Sequence, residues 1–225
     1  MELGGKSPNI RGTRGSMNIG IIGAGNVGTG LAKRLVLRRH EVMLSYSRDV
    51  AKPKGAAASL GATAGSVAQA AAFAEVIVLA TPYTASVDAL RQAESPASGK
   101  ILWDCTTPLK PDFSGLLIGT TTSAGEEVAN IAPWARVVKA VPPFAEVLHS
   151  DDMNIGGGPP GVFVCGDDRD ARECIAKLIQ DIGAEPILAG PLEYSRFTEP
   201  ANMLLVALAY RNGYGPRIGL SLRHS

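Results

Sequence analysis

Short apolar runs alternate with amphipathic segments along the chain. The runs are four to six residues long, the length of a buried strand, and they cover residues 18–22, 41–46, 75–80, 100–105, 136–141, 161–166 and 186–189. Behind the first run, Val27, Leu31 and Leu35 recur every four residues, as on the buried face of a helix. This alternation predicts an α/β protein in which helices cover both faces of a parallel sheet.

Two later helices carry their own start signals. Ser123 and Glu126 fit a capping box for a helix that ends near residue 131. Asp167 or Asp168 is the expected cap of another helix, which follows the run at 161–166. The alternation of strands and helices therefore continues into the second half of the chain.

A glycine-rich turn lies between the first predicted strand and the first predicted helix. It fits the pattern GxGxxG and comprises Gly23, Ala24, Gly25, Asn26, Val27 and Gly28. In such turns the first glycine permits a tight bend, the second admits a pyrophosphate, and the third lets the helix pack closely on the strand. An ordinary βα turn is the alternative, but the flanking strand and helix favour a dinucleotide site.

A hydroxyl and two cations follow the second predicted strand. Many NAD-binding proteins place an acid here, which binds the ribose hydroxyls, whereas this chain has Ser47, Arg48 and Lys52. A guanidinium can hold a 2′-phosphate through two hydrogen bonds, and a carboxylate would repel it. A solvated surface turn is the alternative, but the position after the second strand favours NADP(H) over NAD.

Composition and charge exclude several classes of protein. The chain has 225 residues, 45% of them hydrophobic, and a net charge of +1, so neither nucleic acid nor a membrane surface is an expected partner. The apolar stretch 203–210 is too short to cross a bilayer, and the basic cluster 33–40 suits the end of a helix. Scattered cysteines indicate reduced thiols in a cytoplasmic protein and no zinc site, and they are Cys105, Cys165 and Cys174.

The chain is expected to divide into three parts. Residues 1–16 lack the apolar core of a signal peptide and are interpreted as a disordered extension or a remnant of cloning. Residues 17–145 form a nucleotide-binding Rossmann domain with a doubly wound parallel sheet, and residues 146–225 form a small C-terminal α/β extension that binds the acceptor. The boundary falls in a loop-like stretch at 142–160. Pro200 is expected to kink or split the last helix.

Several segments of the chain, in order, resemble the NADPH-dependent coenzyme F420 reductases. They are NIGIIGAGNVG, SYSRDVAK, DCTTPLKPDFSGL, RVVKA, VFVCGDD and AGPLEYSRFTEPANMLL. The resemblance implies that Ser47, Arg48 and Lys52 bind the 2′-phosphate of NADP(H). It adds further cofactor-binding residues, which are Thr81, Pro82, Tyr83, Val87 and Ala140.

The same resemblance implies a deazaflavin pocket against the nicotinamide, with coenzyme F420 as the co-substrate. Pro142, Ser195 and Ile218 are expected to line it. There is one departure: relatives commonly have Lys-Ala-Phe-Asn-Thr where this chain has KAVPP at 139–143. Two prolines replace an amide and a hydroxyl there, which puts the orientation of the nicotinamide in question.

The sequence offers no evident acid–base group at the expected site, and His149 is interpreted as structural. Hydride transfer between two cofactors needs none, because the chemistry belongs to the cofactors. The protein has to hold two rings at reacting distance and exclude water. Two alternatives stay open, namely an NADPH-dependent flavin, quinone or ferric reductase and a catalytically silent NADP-binding redox sensor. Family likeness also implies a homodimer.

Overall fold

The computed structural model of the protein describes residues 15–45 and 52–223. Within these ranges lies a sheet of eight strands: β1 (Asn18–Ile22), β2 (Glu41–Ser45), β3 (Thr63–Gly65), β4 (Val76–Leu79), β5 (Ile101–Asp104), β6 (Arg136–Lys139), β7 (Gly161–Gly166) and β8 (Glu185–Gly190). Their order is β3-β2-β1-β4-β5-β6-β7-β8. Neighbouring strands from β1 to β6 pair in parallel, which confirms the predicted Rossmann-type α/β fold.

Helices cover both faces of the sheet, as the alternating pattern predicts. They are α1 (Asn26–Leu37), α2 (Lys52–Leu60), α3 (Val67–Phe73), α4 (Ser86–Ala97), α5 (Ala124–Ile131), α6 (Ala145–His149), α7 (Arg169–Asp181) and α8 (Ser195–Tyr210). Ile21 of β1 packs in one apolar layer with Leu31 of α1, and its neighbour Ile22 packs in a second layer with Leu90 of α4. None of the helices in the described ranges is long and apolar enough to span a bilayer.

The last two strands run against the first six. β7 pairs antiparallel with β6 through Val138–Gly166 and Lys139–Cys165, and β8 is parallel to β7. Only the short helix α6 and a loop connect β6 to β7, whereas the whole of α7 lies between β7 and β8 and allows a parallel crossover. One sheet thus contains strands from both sides of residue 145, the predicted domain boundary. The division into two domains at that point stays a prediction.

The predicted N-caps agree with the structure, although the Glu126 side chain bonds the Ser123 hydroxyl instead of completing the predicted capping box. The Ser123 side chain accepts a hydrogen bond from the Glu126 amide at the start of α5, which ends at Ile131. At α7 the cap is Asp168, whose carboxylate accepts from the Ala171 amide. These side chains satisfy amides that have no partner within their own helix.

Two expectations for the second half of the chain need correction, the second of them only in part. The stretch 142–160 is not all loop, because it contains α6, whose Val147 and Leu148 are fully buried. The last helix is not split at Pro200, since α8 runs without interruption over 16 residues. A proline forfeits one backbone hydrogen bond, and the fully buried Glu199 beside it holds the helix in place through its own contacts.

Candidate functional site: a cavity beside the glycine turn

The glycine turn joins the end of β1 to the start of α1. Gly23 has a φ of 120°, and its amide donates a hydrogen bond of 2.9 Å to the Ser45 carbonyl at the end of β2. A Cβ atom at Gly28 would lie 1.8 Å from the Gly23 carbonyl oxygen. Only glycine therefore fits at the first and third positions of the motif.

The middle glycine leaves the N-terminus of α1 accessible. Gly25 is the N-cap of α1 with a φ of −83°, and a Cβ atom there would meet nothing within 4 Å. In the part of the chain that the structure describes, no side chain caps the first amides of α1, and its first turn carries no acid. Free amides at the positive end of a helix dipole bind phosphate. The turn therefore fits the pyrophosphate of a dinucleotide.

A cavity of about 750 Å³ opens beside this turn. Part of its wall comes from the loops that follow β4, β5 and β6, at the carboxyl edge of the sheet where ligands of this fold bind. The C-terminal part of the chain supplies another part of the wall, through Asn202, Leu205, Val206 and Tyr210 of α8 and through Ile218 and Gly219 after it. The cavity thus joins the nucleotide-binding turn to the C-terminal tail.

Many predicted site residues meet in this cavity. Those that line it are Gly25, Asn26, Val27, Thr81, Pro82, Pro142 and Ile218. Pro82 caps a short 3₁₀ turn, Tyr83–Ala85, which leads directly into α4. Tyr83 and Val87 beside this turn are half-buried. The sequence motifs therefore converge on one edge of the sheet.

Other predicted residues lie behind the wall or elsewhere. Ala24 is buried within the glycine turn. Ala140 is fully buried, and its carbonyl oxygen accepts a hydrogen bond of 2.7 Å from Trp103 Nε1. Ser195 is fully buried at the start of α8, where a Cβ atom at Gly125 would lie 3.0 Å from its hydroxyl oxygen.

The residues expected at the 2′-phosphate fall at the margin of the described structure. Ser47 and Arg48 lie outside the described residues, and Lys52 is the first residue of α2. Ser45, the last residue of β2, is hydrogen-bonded to the glycine turn through its carbonyl oxygen. The chain therefore leaves β2 close to the dinucleotide turn, where this fold binds the adenosine ribose.

Three aromatic rings from separate segments meet at the cavity. Phe113 stacks on Tyr210 with ring centroids 6.1 Å apart, and Phe144 meets Tyr210 edge-on at 5.8 Å. Phe113 and Tyr210 are 47% and 51% exposed, so they form an accessible rim. Phe113 has a φ of 55°, which is uncommon for a bulky residue and requires support from its surroundings.

Two titratable groups beside the cavity, the Cys105 thiol and the Tyr83 hydroxyl, are held neutral. Burial, assisted by the charge of Asp104, raises the pKa of the Cys105 thiol well above its usual value. Burial, assisted by Glu127 and Glu199, raises the pKa of the Tyr83 hydroxyl. Neither group offers a thiolate or phenolate at neutral pH, so this part of the wall is suited to binding rather than to proton abstraction.

A buried ion-pair network lies directly behind the cavity wall. Lys139 of β6 places its Nζ 2.9 Å from Asp104 Oδ2 and 3.2 Å from Glu199 Oε1, and all three side chains are at most 1% exposed. Lys139 also donates to the carbonyl oxygen of Thr106, which lines the cavity. Burial alone would lower the pKa of Lys139, but the two carboxylates outweigh burial and raise it, so the lysine stays charged.

This network and the four residues of α8 that line the cavity were not predicted from the sequence. Asp104 and Lys139 end the adjacent apolar strands β5 and β6, where they are paired in register. A pair of opposite charges closing two buried strands was the available signal. Glu199 carries no such signal, because its partner is set only by the docking of α8.

The fold and the site define a Rossmann-type oxidoreductase, and known proteins agree. A family model described as NADP oxidoreductase, coenzyme F420-dependent, matches residues 18–108. The chain is 30% identical over 222 residues to the F420-dependent NADP reductase of Methanocaldococcus jannaschii, covering 90% of this chain and 98% of that protein. It is 31% identical over 214 residues to the enzyme of the same name from Methanothermobacter thermautotrophicus, covering 87% and 90%.

A solved structure extends the likeness to three dimensions. A candidate F420-dependent NADP reductase from Arthrobacter sp. FB24 superposes with a TM-score of 0.82 at 28% identity, covering 93% of this chain and all of that chain. The chain therefore belongs to the family of F420-dependent NADP reductases, which confirms the predicted family.

Proposed function

We propose that this protein transfers a hydride between NADPH and a deazaflavin of the coenzyme F420 type. One observation carries the proposal: a single cavity is walled both by the open phosphate-binding turn at Gly25 and by the C-terminal stretch around Ile218. Two ligands that enter from these two parts of the chain would meet in one space. The names of the relatives supply the identity of the second ligand.

The chemistry balances without a group from the protein. A hydride passes from C4 of the nicotinamide to C5 of the deazaflavin, and the acceptor takes up one proton from solvent, so NADPH becomes NADP⁺ and the deazaflavin is reduced. The chain supplies orientation and excludes water. Apolar wall residues such as Val27, Leu205 and Val206 serve both tasks.

The preference for NADP(H) is assigned to Ser47, Arg48 and Lys52. They follow β2, which is hydrogen-bonded to the glycine turn, so a phosphate on the adenosine ribose would lie within their reach. The guanidinium of Arg48 would provide two parallel hydrogen bonds to that phosphate, and Lys52 a point charge.

A second candidate is an NADP-binding protein that transfers no hydride. It is favoured by Pro142 and Pro143, which line the cavity and have no amide hydrogen to offer a nicotinamide carboxamide. An orientation set by the glycine turn, Thr81 and apolar contacts alone would then be too loose for transfer. The assay below separates this candidate from the first.

We assign a homodimer to this protein, with α8 at its interface. Phe197 and Leu204 are 67% and 60% exposed, and they follow the same helical stripe as the half-buried Ala201 and Leu208. Exposed apolar residues that share one face of a helix are candidates for an interaction surface. The location assigned is the cytoplasm, which agrees with the buried, unbridged thiols of Cys105 and Cys165.

The test is NADPH oxidation by the purified protein with coenzyme F420, flavin mononucleotide or a ferric chelate as acceptor. The proposal expects rapid transfer to F420 and slow or no transfer to the other two. Preferential reduction of a flavin or ferric chelate would mean that this compound, and not F420, is the acceptor. Tight NADPH binding with no reduction of any of them would establish the silent binding protein instead.

A further inference from the structure

We propose that Lys139 is a positioning residue that sets the separation between two walls of the cavity, the segment 105–107 after β5 and helix α8. The inference rests on the proposed hydride transfer. Lys139 does not reach the reacting atoms, since its side chain is 1% exposed. Instead, its ammonium group pairs with Asp104 and Glu199, two buried carboxylates that belong to the two walls of the cavity.

On the sheet side the network fixes the loop after β5. Lys139 Nζ donates to the Thr106 carbonyl oxygen, and Asp104 Oδ1 accepts from the Thr106 amide at 2.8 Å. Both backbone groups of Thr106 are therefore held by one ion pair. Cys105 and Thr107 on either side also line the cavity, so this short segment of wall has little freedom to move.

On the other side the network fixes α8. Glu199 Oε1 lies 3.2 Å from Lys139 Nζ, and the two Glu199 oxygens accept from the amides of Ala124 and Gly125 at 2.9 and 3.0 Å. Asn202 follows Glu199 by three residues on the same face of α8 and lines the cavity. Glu199 is thus the anchor of the acceptor wall.

The charges of the network favour a fixed geometry. One cation faces two carboxylates, and the N-terminus of α5 offsets the second carboxylate, because a helix carries partial positive charge there. Loss of Lys139 would leave two buried carboxylates without a cation, which is strongly unfavourable, so the lysine holds both carboxylates in place. Hydride transfer requires reacting carbons about 3–3.5 Å apart, and a displacement of about 1 Å can cost roughly 100-fold in rate.

The test compares Glu199→Gln with Glu126→Gln. In Glu199→Gln the pair of Lys139 and Asp104 carries no net charge. The new side chain has one oxygen in place of two, so it keeps an acceptor for only one of the two α5 amides, and a thermal melt checks that the variant folds. Glu126 of α5 is the matched control, because it joins the same two helices through Arg196 of α8 at 2.7 Å but does not touch Lys139. The control therefore reports the effect of loosening α8 on α5 alone.

Single-turnover hydride transfer at saturating substrates is the first readout. The rate constant should fall by roughly 10- to 100-fold in Glu199→Gln, with NADPH affinity unchanged, and by less than about twofold in Glu126→Gln because partly exposed pairs contribute little. Glu199→Asp, which keeps the charge but shortens the reach, should behave like Glu199→Gln. Equal losses in Glu199→Gln and Glu126→Gln, or a parallel loss of NADPH affinity, would overturn the assignment.

Amide hydrogen exchange is the second readout, and it does not depend on activity. In Glu199→Gln exchange should rise both in the loop 105–109 and in the turn of α8 that contains Asn202. In Glu126→Gln the loop should keep its protection. If the wild type reduces no acceptor, the proposed function fails, while unchanged exchange in the loop of Glu199→Gln would refute the network's role separately.

Discussion

The rings of Phe113 and Tyr210 stack with centroids 6.1 Å apart, although they come from the loop after β5 and the last residue of α8. Both rings line the cavity, and both remain about half exposed. An accessible flat surface at an apolar cavity suits a planar ligand, because aromatic rings favour stacked or edge-on contacts. We therefore expect this pair to contact the acceptor rather than the nucleotide.

Replacing Tyr210 with Ala should weaken the binding of the acceptor. The loss of one aromatic contact is worth about 0.5–1.5 kcal/mol, which corresponds to an increase of roughly 2- to 10-fold in the acceptor KM. The NADPH dissociation constant, measured by direct titration, should stay unchanged. Tyr214→Ala is the control, because Tyr214 is an exposed tyrosine shortly after α8 that does not line the cavity. An equal effect of both substitutions on the acceptor KM would show that Tyr210 makes no specific contact with the acceptor.

Two alanine substitutions in the glycine turn should affect different properties: Gly25→Ala should weaken NADPH binding, and Gly28→Ala should prevent folding. At Gly25 a Cβ atom meets nothing within 4 Å and φ is −83°, so Gly25→Ala should fold with nearly unchanged thermal stability. It should nevertheless bind NADPH roughly 10- to 100-fold more weakly. The added Cβ would keep the pyrophosphate away from the backbone amides, and a charged hydrogen bond lost in this way is worth about 1.5–3 kcal/mol. Full NADPH affinity in Gly25→Ala would mean that the pyrophosphate does not sit on this turn.

Gly28→Ala should fail in folding instead. Its Cβ atom would lie 1.8 Å from the Gly23 carbonyl oxygen, and both are backbone positions with little room to move. Overpacking against backbone costs several kcal/mol. A thermal melt of the two variants side by side distinguishes them, and a Gly28→Ala protein as stable as wild type would show that α1 can shift away from the turn.

Arg48→Ala should separate NADPH from NADH. If Arg48 holds the 2′-phosphate, NADPH affinity should fall by roughly 10- to 100-fold and NADH affinity should barely change. Arg91→Ala, which removes an exposed cation of α4, serves as the control for net charge. Equal losses for both nucleotides would indicate a structural role for Arg48, and a wild-type preference for NADH would refute the choice of NADP(H).

Leu204→Glu should convert the proposed dimer into a monomer. A carboxylate buried at an apolar interface has no partner and opposes association. Leu37→Glu is the control, because Leu37 of α1 is 65% exposed, compared with 60% for Leu204. Light scattering after size exclusion measures the mass of each variant. A monomeric wild type, or a dimeric Leu204→Glu protein, would contradict the assignment of the interface to α8.

Local signals in the sequence were sufficient for the nucleotide half of the fold. The run at 18–22 coincides with β1, and the glycine pattern follows β1 and continues into the first turn of α1, as expected. Capping by Ser123 and Asp168 was also readable, because an N-cap involves residues only three positions apart. Strand length, helical spacing and caps are all encoded within short windows, which is why these features could be predicted.

Features that depend on docking could not be predicted in the same way. The antiparallel direction of β7 follows from the short connection after β6, where α6 was expected to be loop. Glu199 meets Lys139 across 60 positions of sequence only because α8 packs over the strand ends. Phe113 and Tyr210 are likewise joined by tertiary contact alone. Side chains brought together by packing between distant segments leave no periodic signal.

The most direct test of the central claim is to follow the hydride itself. NADPH deuterated at both C4 positions is mixed with the protein and coenzyme F420, and the reduced deazaflavin is analysed by mass spectrometry. Direct transfer predicts one deuterium in each reduced deazaflavin, together with a primary isotope effect on the single-turnover rate when transfer limits it. Reduced deazaflavin without deuterium, or no reduction under conditions in which NADPH is bound, would contradict the claim.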